Sequence, residues 1–313
     1  GTSEAMQKAL KEPLPQLISG KTGSTKESGL EIWYHIREPQ MAPQGSVLLV
    51  MGHSNTSLTW PEFFVGPLLE AGYRVILFDN RGCGLSDWVK SWNRKNAYTL
   101  EDMADDAIAV LNATHAEKAH IVGISMGGMI AQRMAINYPD RVQSLTSIMS
   151  SGFMEDPELP GVPAYFRNNF IRYTLKYGLN RTESNMLKYG IGVTALLKGD
   201  DTYQMNVERV AKRMMYEMRQ RRGYNPRVGT QHSRAISLSG SRYAELNKIT
   251  APTLVIHGKA DPLVKLAHGE KYAPMIPNAQ TLWLDHMGHD IPEFLTGQIH
   301  EAMLANFNRE VEA

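Results

Sequence analysis

His120-Ile121-Val122-Gly123-Ile124-Ser125-Met126-Gly127-Gly128-Met129 decides how this chain is read. The run opens β-branched and apolar, then places glycines two residues before and two after a serine. It continues as a helical pattern through Ile130-Ala131-Gln132-Arg133-Met134-Ala135. This is strand, sharp turn and helix, with the serine at the turn. Such a turn holds the serine in a strained backbone conformation and lifts its hydroxyl out of the sheet. Gly123 and Gly127 supply the lack of bulk that the turn requires. The amide of Met126 opens the helix. It has no partner within the helix and points at whatever Ser125 attacks, where it favours developing negative charge.

Working outward toward the N-terminus, Ser46–Met51 and Tyr73–Phe78 are continuous apolar runs, the pattern of strands buried on both faces. Leu30–Ile36 alternates and reads as an earlier strand. Helices are expected from about Pro61 to Ala71, and from Thr99-Leu100-Glu101-Asp102 to about Thr114, with Thr99 or Asp102 as the cap. Residues 1–28 are polar and carry Pro13 and Pro15. They read as an N-terminal arm, helical near Met6–Lys11.

Toward the C-terminus, Val142–Met149 is a further strand. Strand signals then vanish between about Gly152 and Asn247. That segment is helical in period, holds 15 Lys+Arg against 9 Asp+Glu, and contains six of the 17 methionines. It reads as a helical cap inserted into an α/β domain, its methionines suited to an adaptable apolar pocket. The sheet resumes at Pro252–His257, followed by a helix near Leu263–Ala273, a strand at Ala279–Leu284 and a helix from about Pro292 to Glu310. Strands alternating with helices imply a mostly parallel central sheet. The expected organisation is an arm over 1–28, a core domain over 29–151 and 248–313, and a cap over 152–247.

The 313 residues are 42% hydrophobic and 21% charged, enough for a large buried core. A net charge of +1 leaves no global basic field for nucleic acid. The single cysteine, Cys83, excludes an internal disulfide and a cysteine-based metal cluster. With a polar N-terminus lacking a signal-peptide h-region, it points to a cytoplasmic setting. No apolar run reaches the ~18 residues of a membrane span. The chain is expected to act as a monomer or homodimer.

A serine hydroxyl becomes a good nucleophile only when a histidine takes its proton, and the histidine needs a carboxylate to orient it. Open α/β sheets build sites at the carboxyl ends of strands. Three such ends supply Ser125, Asp261 and His289, in the order serine, aspartate, histidine. Asp156 is the reserve acid, and His286 competes with His289 as base. Asp79 and Arg81 read as loop-holding residues. Cys83, in the same loop, has no base placed beside it and is not expected to be a nucleophile.

The chain resembles the α/β-hydrolase superfamily from roughly residue 28 to 310. The matching pieces are Met51-Gly52-His53, Asp79-x-Arg81-Gly82-x-Gly84-x-Ser86, Gly123-x-Ser125-x-Gly127-Gly128, His257-Gly258-x-x-Asp261-Pro262 and Gly288-His289. Met-Gly in place of the usual His-Gly, Trp60-Pro61, and Arg221-Arg222-Gly223-Tyr224 resemble the aclacinomycin methylesterase-like branch. The resemblance implies an α/β-hydrolase fold and hydrolysis of a small-molecule ester through an acyl-enzyme, with no metal or organic cofactor. It implies the backbone amides of His53 and Met126 as oxyanion donors, and Gly288 before His289 favours His289 as the base.

Two other readings stay open on the same residues. One is carbon–carbon bond hydrolysis or lactone opening, since the Gly-x-Ser-Met-Gly-Gly elbow also occurs in carbon–carbon hydrolases. The other is a hydrolase-fold receptor that turns a ligand over slowly. A haloalkane dehalogenase is disfavoured, because its nucleophile is a carboxylate and this turn holds a serine.

Overall fold

The apolar runs form a stack of parallel strands at the centre of the molecule. A computed structural model describes residues 1–310; the last three residues of the expected core range, 311–313, lie outside the described residues. Eight strands, β1 (Lys21–Thr25), β2 (Ile32–Arg37), β3 (Gly45–Val50), β4 (Tyr73–Phe78), β5 (Ala119–Ile124), β6 (Val142–Ile148), β7 (Thr253–Gly258) and β8 (Gln280–Leu284), make one sheet in the order β1-β2-β4-β3-β5-β6-β7-β8. β1 and β2 run antiparallel to their neighbours, and every other pair is parallel.

Alternation along the strands assigns side chains to two cores. Val47, Leu49, Val75, Leu77 and Val122 face one side. There they meet Phe64 and Leu68 of α2 (Glu62–Glu70) and Ile299, Met303 and Phe307 of α10 (Thr296–Phe307). Leu48, Val50, Ile76, Phe78 and Ile121 face the other, against α3 (Leu100–Ala113) and α4 (Met126–Asn137). Thr99 caps α3: its hydroxyl accepts the Asp102 amide at 3.2 Å, and Asp102 accepts the Thr99 amide at 2.8 Å.

Between β6 and β7 the chain forms α5 (Ala164–Tyr173), a π-helical turn (Thr174–Gly178), α6 (Glu183–Leu197), α7 (Val207–Gln220) and α8 (Val228–Ser239), with no strand. After β7 comes the short α9 (Leu266–Tyr272).

The arm expected over 1–28 carries the helix expected near Met6–Lys11, in a longer form, and also a strand that was not expected. Thr2–Lys11 is a helix, α1, whose Met6 and Ala9 pack with Leu187, Ile191, Val210, Ala211, Met214 and Met215 of α6 and α7. Lys21–Thr25 is edge strand β1, paired with β2 from Lys21↔Ile36 to Thr25↔Ile32. None of the β1 residues is buried. Backbone pairing holds the strand, so hydrophobic periodicity carries no sign of it, and its polar composition suits an exposed sheet edge.

Candidate active site

Ser125 occupies the turn between β5 and α4 with φ 53° and ψ −122°, the strained conformation its sequence context demanded. Backbone crowding explains the flanking glycines. A Cβ on Gly123 would lie 2.1 Å from the Gly127 carbonyl oxygen, and one on Gly127 would lie 2.1 Å from that of Val50. The turn is held from β6: the Ser125 amide donates to the Ile148 carbonyl at 2.9 Å, and the Ser150 hydroxyl donates to the Ser125 carbonyl at 2.7 Å.

Three strand ends bring their side chains together here. His289, in the loop after β8, places Nε2 2.9 Å from Ser125 Oγ and Nδ1 2.9 Å from Asp261 Oδ2. Asp261, in the turn after β7, is 2% exposed, and its other oxygen accepts the amides of Leu263 and Val264, each at 2.9 Å. Burial alone would raise the Asp261 pKa. The charge and hydrogen bond of His289, with His257 nearby, outweigh it and hold the carboxyl below its ordinary value. His257 donates from Nε2 to the Val264 carbonyl at 2.7 Å, and burial holds its pKa down, so it stays neutral.

The amides of His53 and Met126 have no hydrogen-bond acceptor among the described residues. Gly52, the residue before His53, packs against the turn: a Cβ on it would meet Ser125 Cβ at 3.3 Å and the Met126 nitrogen at 3.8 Å. The His53 ring faces α8 instead. Its Nε2 lies 3.0 Å from the Gly229 carbonyl and 2.9 Å from Ser233 Oγ.

The rival residues lie elsewhere. His286 bonds Thr202 at 3.0 Å and pairs with Asp200. Asp156 is taken by Lys271 and Tyr243, each at 2.6 Å, and this holds its carboxyl down at about 2. Asp79 accepts the amides of Ser57 at 2.8 Å and Leu85 at 3.1 Å, while Arg81 forks onto Asp106 at 2.6 and 2.8 Å. Cys83 is buried, which pushes its thiol pKa well up and leaves it neutral.

A family model described as alpha/beta hydrolase fold matches residues 45–294. The chain belongs to the alpha/beta hydrolase fold family. Rhodomycin D methylesterase DauP of Streptomyces sp. (strain C5) is 28% identical over 283 residues, covering 86% of this chain and 91% of that protein. A second rhodomycin D methylesterase, DnrP of Streptomyces peucetius, is 27% identical over 86% of this chain and 90% of its own length. Both accord with the branch to which Met51-Gly52 and Arg221–Tyr224 pointed. The 2-hydroxy-6-oxononadienedioate/2-hydroxy-6-oxononatrienedioate hydrolase of Cupriavidus pinatubonensis (strain JMP 134 / LMG 1197) is 29% identical over 85% of this chain and 87% of that one. The solved structure of a thermophilic esterase from Thermogutta terrifontis superposes with a TM-score of 0.67 at 22% identity, covering 92% of this chain and all of that one, and shares the fold.

In this alpha/beta hydrolase the sequence did not single out the groups that brace His289. The His289 amide donates to the Leu197 carbonyl at 2.8 Å. Asp290 accepts the Tyr203 hydroxyl at 2.7 Å and the Gly288 amide at 3.2 Å. Burial raises the Asp290 pKa to about 6 despite these donors. The only sequence signal was adjacency, since Asp290 follows His289 directly. Among the described residues no cluster of three or more His, Cys, Asp or Glu could hold a metal ion. Among the described residues no helix is long and apolar enough to cross a membrane. Cavities of about 640 Å³, between α3 and the end of α4, and about 430 Å³, beside Trp60 and α7, both exclude Ser125 from their linings.

Proposed function

We propose that this hydrolase-fold protein is a serine esterase acting on small-molecule carboxylic esters. The observation that carries the reading is the unbroken pair of hydrogen bonds from Asp261 to His289 to Ser125, each 2.9 Å. Asp261 fixes the proton of His289 on Nδ1 and leaves Nε2 to take the Ser125 proton. Ser125 Oγ then attacks the ester carbonyl, and the amides of His53 and Met126 hold the oxyanion. The tetrahedral intermediate collapses to the acyl-enzyme, and His289 passes its proton to the departing alcohol. A water, giving a proton to His289, attacks the acyl group; the second tetrahedral intermediate releases the acid, and His289 passes that proton to Ser125 Oγ. The helices over 152–247 act as the cap that shapes the substrate pocket.

The methylesterase relatives make methyl esters of bulky acids the first substrates to try. The hydrolase relative from Cupriavidus supports carbon–carbon cleavage as the second reading, since the same serine and oxyanion donors serve both reactions. The deciding experiment measures turnover of p-nitrophenyl esters, methyl esters and a 2-hydroxy-6-oxo-dienoate by wild type and Ser125→Ala. Ester turnover lost in Ser125→Ala supports the esterase. Turnover of the dienoate alone moves the assignment to the second reading. Ester turnover unchanged in folded Ser125→Ala sinks both.

A further inference from the structure

The helical insertion opens with a segment that is apolar on its solvent side. Nine large apolar side chains are exposed among the described residues, and six of them, Val162, Tyr165, Phe170, Ile171, Leu175 and Leu179, fall within 18 consecutive positions. Isolated exposed leucines are ordinary, but a cluster of this kind marks a surface with a partner. Ile171 in α5, Leu175 in the π-helical turn and Leu179, the helical-conformation residue that caps it, recur every fourth residue and continue one stripe. Their exposure rises outward, at 48%, 64% and 76%. The opposite face is aromatic and turned inward. Phe166 is 5% exposed, and the Tyr173 ring covers Gly192 of α6. The helix therefore has a second apolar face beyond the one that anchors it.

Charge selects the occupant. Arg167, Arg172, Lys176 and Arg181 are all exposed, and no acidic residue lies between Glu158 and Glu183. None of the four pairs with a carboxylate among the described residues; Arg172 and Lys176 lie over the rings of Tyr173 and Tyr177. A second copy docked face to face would bring these cations together, which opposes self-association through this stripe. An apolar stripe flanked by exposed Lys and Arg is the arrangement by which a helix lies in the interface of a bilayer carrying anionic lipid.

We propose that residues 162–181 form a docking surface for an anionic lipid bilayer, with Ile171, Leu175 and Leu179 entering the headgroup boundary and the four cations contacting lipid phosphates. The protein would lie on the membrane without spanning it. The proposal does not depend on which bond the Ser125 site cleaves.

The test is co-sedimentation of the full-length protein with extruded vesicles of phosphatidylcholine, alone or with about one-third phosphatidylglycerol. Wild type is expected to bind the mixed vesicles at least about tenfold more tightly than neutral ones, and to release in about 1 M salt. Leu175→Glu/Leu179→Glu and, separately, Arg172→Glu/Lys176→Glu should each lose binding by about tenfold or more while keeping the wild-type melting temperature and far-ultraviolet circular dichroism. Failure of wild type to bind mixed vesicles overturns the proposal, as does undiminished binding by either variant. Sedimentation velocity without lipid can overturn it as well: a dimer that Leu175→Glu/Leu179→Glu dissociates makes the stripe a self-interface instead.

Discussion

The backbone amide of His289 donates to the carbonyl of Leu197, the last residue of α6, at 2.8 Å. The proposed base is thus positioned by the helical insertion as well as by the sheet. The contact continues through Gly199, where an added Cβ would lie 2.0 Å from the His286 carbonyl oxygen and push the two loops apart.

Gly199→Ala is expected to lower kcat by about tenfold or more, since displacing a general base by a fraction of an ångström is costly. It should also cost about 1–3 kcal/mol of stability. Gly161→Ala, where a Cβ meets nothing within 4 Å, is the control and should be silent in both respects. Steady-state kinetics and urea denaturation of the two variants check this; equal kcat values would remove the role given to the Leu197–Gly199 contact.

Replacing the orienting acid separates the two candidate aspartates. Asp261→Asn should leave the fold intact and lower kcat by roughly 10³–10⁴-fold, because the amide favours the wrong histidine tautomer and cannot stabilise the imidazolium. Asp156→Asn should stay within about twofold of wild-type kcat, since its carboxylate serves Lys271 and Tyr243 away from His289. Esterase rates for the pair decide the assignment, and a large loss in Asp156→Asn alone would reverse it.

The parts of the molecule legible in the sequence were those where local pattern and chemistry coincide. Val47–Val50 and Ile121–Ile124 were readable because strands buried on both faces are apolar throughout. Gly123, Ser125 and Gly127 were readable because backbone collision leaves little choice at those positions. β1 escaped because its Lys, Thr, Gly and Ser bury nothing and are held by main-chain bonds alone. The packing of α1 on α7 escaped because Met6 and Ala9 sit about 200 residues from their partners, and nothing local marks a long-range contact. Tyr203 and Leu197 escaped for the same reason, since they reach His289 only through the three-dimensional path of the insertion.

Arg221 is the buried link between the insertion and the Asp79 loop. It is ion-paired with Asp79 and, at 3.0 Å, with Glu217, and all three side chains are at most 1% exposed. Arg221→Met would leave two buried carboxylates without their cation, at an expected cost of about 3–5 kcal/mol. The double variant Arg221→Met/Glu217→Gln should recover part of that loss, because one stranded charge is removed. Urea midpoints of wild type and the two variants measure it; a loss under about 1 kcal/mol in the single variant would show that the cluster contributes little.

Acid should destabilise this protein through buried histidines. Burial holds His35 and His120 at about 4 and His232 at about 3, so each stays neutral in the folded chain over a range where an unfolded histidine is already protonated. For a base whose folded pKa is depressed, the unfolded state binds the extra proton. Stability is then full above pH ~6.5 and falls as the pH drops toward ~4, by up to about 1.4 kcal/mol per pH unit for each such group. Asp290 opposes this trend. Its pKa is raised to about 6, so below that pH the folded state takes up a proton first and gains stability down to about 4. Burial depresses six histidines, His35, His53, His120, His232, His257 and His268, against three raised carboxylates, Asp106, Glu217 and Asp290, which leaves a net loss in acid. His120 is the group to remove, because it lies between Phe307, stacked at 4.2 Å, and Ser144 Oγ at 2.7 Å, far from Ser125 and its partners. His120→Gln should flatten the dependence of unfolding free energy on pH between 4 and 6.5 by about one proton's worth, whatever it does to stability at pH 7. Denaturant titrations at half-unit intervals compare the two slopes directly. Parallel slopes would mean that His120 already binds its proton in the folded protein.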